Sequence, residues 1–263
     1  MYQGFYNLTS GMLTQSRNLD VISNNMVNIQ TPGYKREQMT STTFQEEMLY
    51  RTGIRDKSAS EPLGVTSKIK TADTTHITYT QGSLEQTDGI YDFAIQGSGF
   101  FCIEGQNGGR VYTRNGSFEA DEEGYLSLGG IGRVLGEDGQ PILIDSEDFT
   151  VDANGSITVT EDDGSGEAQT RVLGRPQVVD FADYSGLRKE DNGVFSTQQA
   201  PIETAGSDNG PQIIWKSLEK SNVDLVDEMS SMMSSQRALQ SAAQVLKMYD
   251  QVMGRTTADI GKL

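Results

Sequence analysis

Apolar residues recur every three or four positions at both ends of the chain. Gln15 interrupts the N-terminal stripe, and Gln236 and one slip of phase interrupt the C-terminal stripe. Such a narrow stripe is typical of a helix that packs lengthwise against another helix. The stripe residues, which we expect to form an assembly seam, are Phe5, Leu8, Met12, Leu19, Ile22, Met26 and Ile29, and then Leu225, Met229, Met232, Leu239, Ala242, Leu246, Tyr249 and Met253.

Both predicted helices have recognisable ends. Thr31-Pro32-Gly33 ends the first helix, because proline disfavours helix in the preceding residue and glycine permits a positive φ. Ser221 or Asn222 is a suitable N-cap for the second helix. Helices at opposite ends of one chain pair only if the chain returns to its starting point. Gln15 and Gln236 then either hydrogen-bond across the pair and set its register, or face water or a neighbour.

The centre of the chain is rich in turn residues and short apolar runs. Of the 29 glycines, 22 lie between Gly82 and Gly210, which favours strands joined by tight turns over helix. We therefore predict an α+β fold whose terminal helices pair as a coiled-coil-like domain, with a central β-rich domain. The predicted parts are a terminal helical domain (1–30 with 222–263), an extended linker (31–81) with a helical turn at Phe44–Tyr50, an acidic β-rich domain (82–210), and a return linker (211–221).

Charge is unevenly distributed along the chain. The formal net charge is −16, which argues against binding to nucleic acid or to an anionic membrane surface. Residues 82–210 contain 24 acidic and 7 basic residues, whereas the rest of the chain contains 13 acidic and 14 basic residues. The centre therefore repels copies of itself, while the ends approach one another without long-range repulsion.

Residues with reactive side chains are few. Cys102 is the only cysteine and His76 the only histidine, so we expect no disulfide, no metal site, no cofactor and no catalytic site. The N-terminus lacks the basic and apolar regions of a cleaved secretory signal. No apolar run approaches the roughly 18 residues of a membrane span. If the protein leaves the cytoplasm, it does so uncleaved and by another route.

The most specific signal is an asparagine-rich helix end followed by a turn. Asparagine competes with the helix backbone for hydrogen bonds, so the simplest interpretation is a frayed helix terminus. SNNMVNIQTPGYK, however, resembles the signature of the bacterial flagellar axial proteins, and especially that of the proximal and distal rod subunits of the basal body. The matching residues are Asn24, Asn25, Asn28, Thr31, Gly33, Tyr34 and Lys35.

Three further segments resemble the same family in the same order. They are Asp92–Phe101, Tyr112–Leu126 and Ser221–Leu239. The chain departs from the family at Leu239, where an aromatic residue is usual, and in the next few residues, where the family commonly has asparagine.

The resemblance implies a structural role. Family members pair their terminal helices into an inner domain that stacks with copies of itself into a hollow tube, which transmits torque from motor to hook. It also implies self-assembly, contacts with other rod and hook subunits, and passage through the flagellar type III export apparatus to the basal body. Two alternatives stay open: another axial subunit such as a hook protein, or a secreted β-rich module that binds glycan or cell-wall polymer.

Overall fold

The computed structural model describes residues 2–44, 47–51, 61–66, 69–105, 108–146, 148–152, 154–162, 168–203 and 210–260. The chain forms two compact units. The helical unit combines residues 1–27, 36–78 and 223–263, and the β-rich unit combines residues 28–35 and 79–222. The class is therefore α+β. Among the described residues, the helices lack the long apolar stretch that crossing a bilayer requires.

Two long helices come from the two ends of the chain. Helix α1 spans Tyr2–Val27 and continues into a 3₁₀ turn at Asn28–Gln30, and α2 spans Leu225–Ile260. Asp224, rather than Ser221 or Asn222, caps α2, because its carboxylate accepts hydrogen bonds from the backbone N–H groups that follow it. At 36 residues, α2 is ten residues longer than α1, which has 26.

The two helices run antiparallel. Asn25 near the end of α1 donates to Glu228 near the start of α2, over 3.3 Å. Seven residues earlier in α1, Asn18 donates to Ser235, which lies seven residues later in α2, over 3.0 Å. Because both contacts join polar side chains, the register of the pair is specified by hydrogen bonds and not by apolar packing alone.

The two glycines in the first half of α1 have different surroundings. A Cβ atom added to Gly4 would lie 2.6 Å from the Tyr249 hydroxyl, so this ring already covers the glycine. Gly11, one heptad later, has open space at the same position, with no atom within 4 Å. The helix pair is therefore tightly packed at Gly4 and leaves room at Gly11.

The predicted extended linker, residues 31–81, contains four strands among its described residues. They are β1 (Glu37–Phe44), β2 (Glu47–Arg51), β3 (Glu61–Thr66) and β4 (Ile69–Ile77). Strand β1 pairs antiparallel with β4, and β2 with β3. The helical turn expected at Phe44–Tyr50 is not formed, because Phe44 ends β1 and the described residues after it belong to β2. The many β-branched threonines of this stretch favour strand over helix.

The β-rich unit contains sixteen strands among its described residues. They are β5 (Leu84–Gln86), β6 (Phe93–Gln96), β7 (Phe100–Gly105), β8 (Arg110–Thr113), β9 (Glu119–Ala120), β10 (Leu126–Leu128), β11 (Gly132–Val134), β12 (Phe149–Val151), β13 (Ile157–Asp162), β14 (Ala168–Gly174), β15 (Val178–Asp180), β16 (Arg188–Lys189), β17 (Val194–Ser196), β18 (Ile202–Glu203), β19 (Gln212–Trp215) and β20 (Ser217–Glu219).

A nine-stranded sheet forms the centre of this unit. Its main order is β16-β17-β8-β7-β11-β10-β9, with β15 pairing to β7 and β18 to β15. A second sheet has the order β12-β13-β14. The expected return linker, 211–221, contributes β19 and β20, which pair with β6 and β5. The end of the unit is thus hydrogen-bonded to its beginning.

Strand β7 lies at the centre of the apolar core. Its first four residues, Phe100 to Ile103, are all at most 1 % exposed, so both faces of the strand are covered. Cys102 is among them, and burial raises the pKa of its thiol to about 11. The single cysteine is therefore protected from thiol reagents while this unit stays folded.

Replacing Gly11 with alanine should stabilise the helical unit. The new methyl group meets no atom, and alanine is favoured over glycine inside a helix by roughly 1 kcal/mol. We expect Gly11→Ala to raise the free energy of unfolding by about that amount, measured from the circular dichroism of the helices during urea denaturation. Gly4→Ala is the matched control, because its methyl group must displace the Tyr249 ring. A smaller gain for Gly11→Ala than for Gly4→Ala would contradict the packing.

Candidate functional site

The signature turn begins immediately after α1. The Asn28 carboxamide oxygen accepts a hydrogen bond from the Thr31 hydroxyl at 3.2 Å, and Thr31 N–H donates to the Asn28 carbonyl at 3.2 Å. The Tyr34 N–H then donates to the Thr31 carbonyl at 3.3 Å. These bonds close the turn locally, so the polar side chains of Asn28 and Thr31 help to end the helix.

Gly33 needs to be a glycine for two reasons. Its φ of +69° lies in the left-handed region, and an added Cβ atom would overlap the backbone of Arg114 and Asn115. Its N–H donates to the backbone carbonyl of Glu219 at 2.7 Å. The turn is therefore pressed against two other segments of the β-rich unit.

Three charged side chains are buried next to this turn, and we call them the Glu219 cluster: Lys35, Arg114 and Glu219. Lys35 Nζ lies 2.6 Å from Glu219 Oε1, and Arg114 Nη1 lies 3.1 Å from Glu219 Oε2. All three side chains are at most 4 % exposed. One carboxylate is thus shared by two cations that have almost no access to water.

Backbone groups add three hydrogen bonds to the Glu219 cluster. Lys35 donates to the Thr80 carbonyl at 2.9 Å, Arg114 to the Gly97 carbonyl at 2.7 Å, and the Gly82 N–H donates to Glu219 at 2.9 Å. Burial lowers the pKa of Lys35, while the Glu219 carboxylate opposes this shift and favours the charged amine. Removing that carboxylate would leave two buried cations without a counter-ion.

The aromatic ring of Tyr34 packs against the ammonium group of Lys189. Its side chain is buried, and Lys189 Nζ lies 4.2 Å from the centre of its ring. Contacts of this kind between an ammonium group and an aromatic face are attractive. Tyr34 and Lys35 therefore point into separate environments of the same unit.

A second group of polar residues lies in the helical unit, and we call it the Glu228 cluster: Asn25, Arg36 and Glu228. Arg36 Nε lies 2.7 Å from Glu228 Oε1, and Glu228 is almost fully buried. The Asn25 carboxamide donates to the Glu37 carbonyl at 2.8 Å and accepts from the Glu37 N–H at 3.0 Å. Asn25 thus pairs with the first residue of β1 as another strand would.

The three asparagines of the signature have different environments. Asn25 is 1 % exposed and joins α1 to β1 and α2, whereas Asn28 closes the turn after α1. Asn24 is exposed. The frayed terminus is therefore not needed to explain the asparagines, because a buried carboxamide with several partners offsets its poor helix propensity.

The predicted seam residues differ in how far their side chains are exposed to solvent. Ile22 is buried, and Phe5, Leu225, Met229 and Tyr249 are 36–48 % exposed. Ile29 lies in the 3₁₀ turn of the β-rich unit. The half-buried residues are Leu8, Met12, Leu19, Met26, Met232, Leu239, Ala242, Leu246 and Met253. Gln15 is half-buried and Gln236 is exposed, while Asn18 and Ser235 make the hydrogen bond across the pair.

Sequence reasoning missed the partners of Lys35 and Asn25. In the sequence, these partners look like ordinary surface charges: Glu219, Arg114, Glu228 and Arg36. The Lys35–Glu219 pair joins residues 184 positions apart. A weak signal was available for Glu228, because it falls on the stripe side of α2 at a heptad step from Ser235. No pattern indicated Glu219.

The described side chains that could bind a metal ion are not clustered. Within the described part of the chain, His, Cys, Asp and Glu side chains form no group of three that could hold a metal ion. His76 is exposed on β4 and lies 3.1 Å from the Thr74 hydroxyl. The chemistry of the two clusters is that of fixed ion pairs, which join distant segments of backbone.

The fold and the clusters define a class of protein in which both chain ends form one helix pair, with a β-rich unit encoded between them. Three family models match this chain. They are the flagella basal body rod protein model at residues 5–35, the flagellar hook protein FlgE/F/G D1 domain at 94–159, and the C-terminal model of flagellar basal body rod FlgEFG proteins at 216–259.

Curated relatives match over nearly the whole chain. The flagellar basal-body rod protein FlgG of Buchnera aphidicola (from Acyrthosiphon pisum) is 31 % identical, with 93 % of this chain and 94 % of the relative covered. FlgG of Bacillus subtilis is 30 % identical, with 96 % and 97 % covered. The rod protein FlgF of Caulobacter vibrioides is 31 % identical, with 97 % and 96 % covered. The chain belongs to the flagellar basal-body rod protein family.

Replacing the Glu219 carboxylate with a neutral group should destabilise the β-rich unit. Breaking a buried ion pair by removing one partner costs about 3–5 kcal/mol. We therefore expect Glu219→Gln to lower the free energy of unfolding by an amount in this range. The readout is the rate at which the Cys102 thiol reacts with a disulfide reagent in native buffer, which should rise about a hundredfold or more if the thiol reacts from the opened unit.

Glu85→Gln is the matched control for this experiment. Glu85 pairs with Lys220 at 2.6 Å, but both side chains are more than half exposed. The same chemical change there should cost less than about 1 kcal/mol. Equal thiol reactivity in the two variants would contradict a special role for the Glu219 cluster.

Asn25→Ala should destabilise the helical unit by roughly 1–3 kcal/mol, because it leaves buried polar groups of Glu37 and Glu228 with fewer partners. Asn7→Ala, also on α1 and exposed, is the control, and should change stability by less than about 0.5 kcal/mol. Urea denaturation followed by circular dichroism measures both variants. A difference of the opposite sign would show that Asn25 is not a structural contact.

Proposed function

We propose that this chain is a non-catalytic structural subunit of the flagellar basal-body rod. It polymerises through its terminal helices into a tube that transmits torque from motor to hook. Its partners are further copies of itself and the neighbouring rod and hook subunits. It passes uncleaved through the flagellar type III export apparatus to reach the basal body.

The exposed apolar surface of the helices is the observation that carries this proposal. Fifteen large apolar side chains are exposed among the described residues, and twelve of them lie on α1 or α2. Exposed apolar surface of this extent is typical of a protein–protein interface. They are Phe5, Tyr6, Leu13, Val27, Leu225, Val226, Met229, Met233, Val245, Met248, Tyr249 and Val252.

Contacts between the two helices recur at heptad intervals. The Asn18–Ser235 and Asn25–Glu228 contacts are one heptad apart on both helices, and Gly4 and Tyr249 are two heptads further along. Contacts at seven-residue intervals support a coiled-coil-like pairing within the subunit. Because these contacts use small and polar residues, most of the large apolar side chains are left for contacts with other copies.

The distribution of charge supports the same arrangement. Outside residues 82–210 the chain carries 13 acidic and 14 basic residues, so the helices of different copies can approach closely. Burying a Leu, Ile or Met side chain stabilises an interface by roughly 1.5–3 kcal/mol. Several such side chains per copy, with several neighbours each, are sufficient to hold a rigid tube under twist.

A charge on the exposed helix surface should prevent assembly without unfolding the subunit. Met233, on α2, is 52 % exposed, so Met233→Glu should leave the stability of the purified chain within about 0.5 kcal/mol of the original. In a strain whose only copy carries Met233→Glu, swimming should be lost. Immunogold labelling of isolated basal bodies, with surrounding rings stripped, should show no label on the rod.

Val172→Glu is the matched control, because Val172 is 64 % exposed on β14 of the β-rich unit. Strains with this variant should swim and should carry the label between motor and hook. Normal swimming of the Met233→Glu strain would refute assembly through α2. Label on the hook instead of the rod would indicate a hook subunit, and its absence from basal bodies of the unmodified strain would favour a secreted binding module.

A further inference from the structure

The methionines of the chain are concentrated in its two long helices. Seven of the ten lie on α1 or α2, whereas the β-rich unit, residues 28–35 and 79–222, contains none. A reaction specific for the thioether sulfur of methionine therefore changes the helical unit and leaves the β-rich unit untouched. The helical methionines are Met12, Met26, Met229, Met232, Met233, Met248 and Met253.

Three methionines of α2 are open to solvent, and we call them the outer methionines: Met229, Met233 and Met248. Their side chains are 48 %, 52 % and 55 % exposed, and the other methionine side chains that the structure describes are half-buried. The remaining sulfur of the chain, that of Cys102, is buried, and burial raises the pKa of its thiol to about 11. The outer methionines are therefore the most accessible sulfurs of the described residues.

The outer methionines lie on the side of α2 that is turned away from α1. Glu228 and Ser235 mark the side that faces α1, because each accepts a hydrogen bond from an asparagine of that helix. An α-helix turns about 100° per residue, so the outer methionines lie about 100–200° around α2 from Glu228. A more polar side chain at these positions meets solvent and not the partner helix. Oxidation there should leave the fold of the subunit intact.

Methionine sulfur reacts with peroxides in a two-electron step. One oxygen atom of hydrogen peroxide is transferred to the thioether sulfur, the O–O bond breaks, and the second oxygen leaves as water. The sulfur is oxidised and the peroxide is reduced. The product, methionine sulfoxide, carries a polar S=O group on a side chain that was apolar. Burying such a group without a hydrogen-bond donor opposes the formation of an apolar interface.

We propose that Met229, Met233 and Met248 are sites of reversible oxidation by peroxides, and that their sulfoxides exclude a free subunit from assembly. The inference rests on the proposed function, because it requires a second copy of the chain to cover these side chains. Methionine sulfoxide reductases restore the thioether, so an excluded subunit is recovered. In an assembled rod the neighbouring copies shield the same sulfurs, and existing rods resist the oxidant.

Oxidation rates of the free and assembled chain test the shielding. Purified chain and isolated basal bodies are treated with hydrogen peroxide, and peptide mass spectrometry measures the sulfoxide at each methionine. The outer methionines should react about tenfold or more faster in the free chain, because oxidation follows exposure. Met232 and Met253, on the α1 side of the same helix, are internal references and should change less. The oxidised chain should unfold at the same temperature as the untreated chain.

The composition of rods built during exposure to peroxide tests the exclusion. Cells that lack methionine sulfoxide reductases express the chain in dilute hydrogen peroxide. The sulfoxide fraction of each outer methionine is then compared between the soluble pool and isolated rods. It should be about tenfold or more lower in the rods, because oxidised subunits are not incorporated. Met39, which lies on β1 and outside the helices, should show no such depletion.

Leucine variants identify the sulfurs that carry the effect. The combined variant Met229→Leu, Met233→Leu and Met248→Leu keeps apolar side chains and removes the reactive atoms. Each strain is compared with itself, as the number of rods built with peroxide divided by the number built without it. This ratio should fall about tenfold or more for the unmodified chain and stay near one for the variant.

The matched control replaces three half-buried methionines, as Met12→Leu, Met232→Leu and Met253→Leu. This strain should remain as sensitive to peroxide as the unmodified one. Equal loss of rods in all three strains would assign the sensitivity to another component and overturn the inference. If either variant builds no rods at all, the mass spectrometry of the unmodified chain decides.

Three further results would contradict the inference. They are equal oxidation rates in the free and assembled chain, equal sulfoxide fractions in the pool and the rods, and unfolding of the oxidised chain, which would attribute lost assembly to stability. Absence of the unmodified chain from basal bodies of untreated cells is a different result. It would refute the proposed function itself, whereas rods that contain oxidised outer methionines refute only the exclusion.

Discussion

The β-rich unit depends on one buried carboxylate. Glu219 forms ion pairs with Lys35, which follows α1 in the chain, and with Arg114, which lies in the middle of the unit. Its own backbone carbonyl accepts the N–H of Gly33. The segment that leaves the first helix is thereby fixed beside the segment that leads to the second. A chain whose two ends must meet needs such a fixed point, because closing so long a loop costs entropy that local contacts alone do not offset.

The Glu228 cluster makes the equivalent connection in the helical unit. Arg36 and Asn25 converge on one carboxylate of α2, and Asn25 also pairs with the backbone of β1. Lys35, the last residue of the signature, and Arg36, which follows it, therefore serve two different units, each with its own glutamate from the C-terminal half of the chain. This explains in physical terms why the turn combines a glycine, an aromatic residue and adjacent cations, since each position has a separate steric or electrostatic task.

Sequence patterns predicted the helices and the β-rich centre because both depend on local periodicity. The 3.5-residue stripe identified α1 and α2, and the glycine-rich apolar runs identified the central strands. Strands β1 to β4 were missed because their threonine-rich segments lack a clear alternation of apolar and polar residues. The partners of Lys35 were beyond prediction, because a buried glutamate has the same sequence appearance as a solvated one. The apolar stripe also could not specify which side of each helix faces the other helix, and Asn18 and Ser235 occupy a contact for which larger apolar residues seemed better suited.

The unequal lengths of the two helices have a mechanical consequence. Asn25 lies opposite Glu228, so nine residues of α2 extend past the start of α1, a length of about 14 Å. That end of the subunit is a step and not a flat face. In a stack of identical copies, the neighbouring subunit has to fill this step. Neighbouring subunits therefore overlap along the axis of the stack. Layers of subunits that overlap in this way resist shear better than layers that meet at flat interfaces.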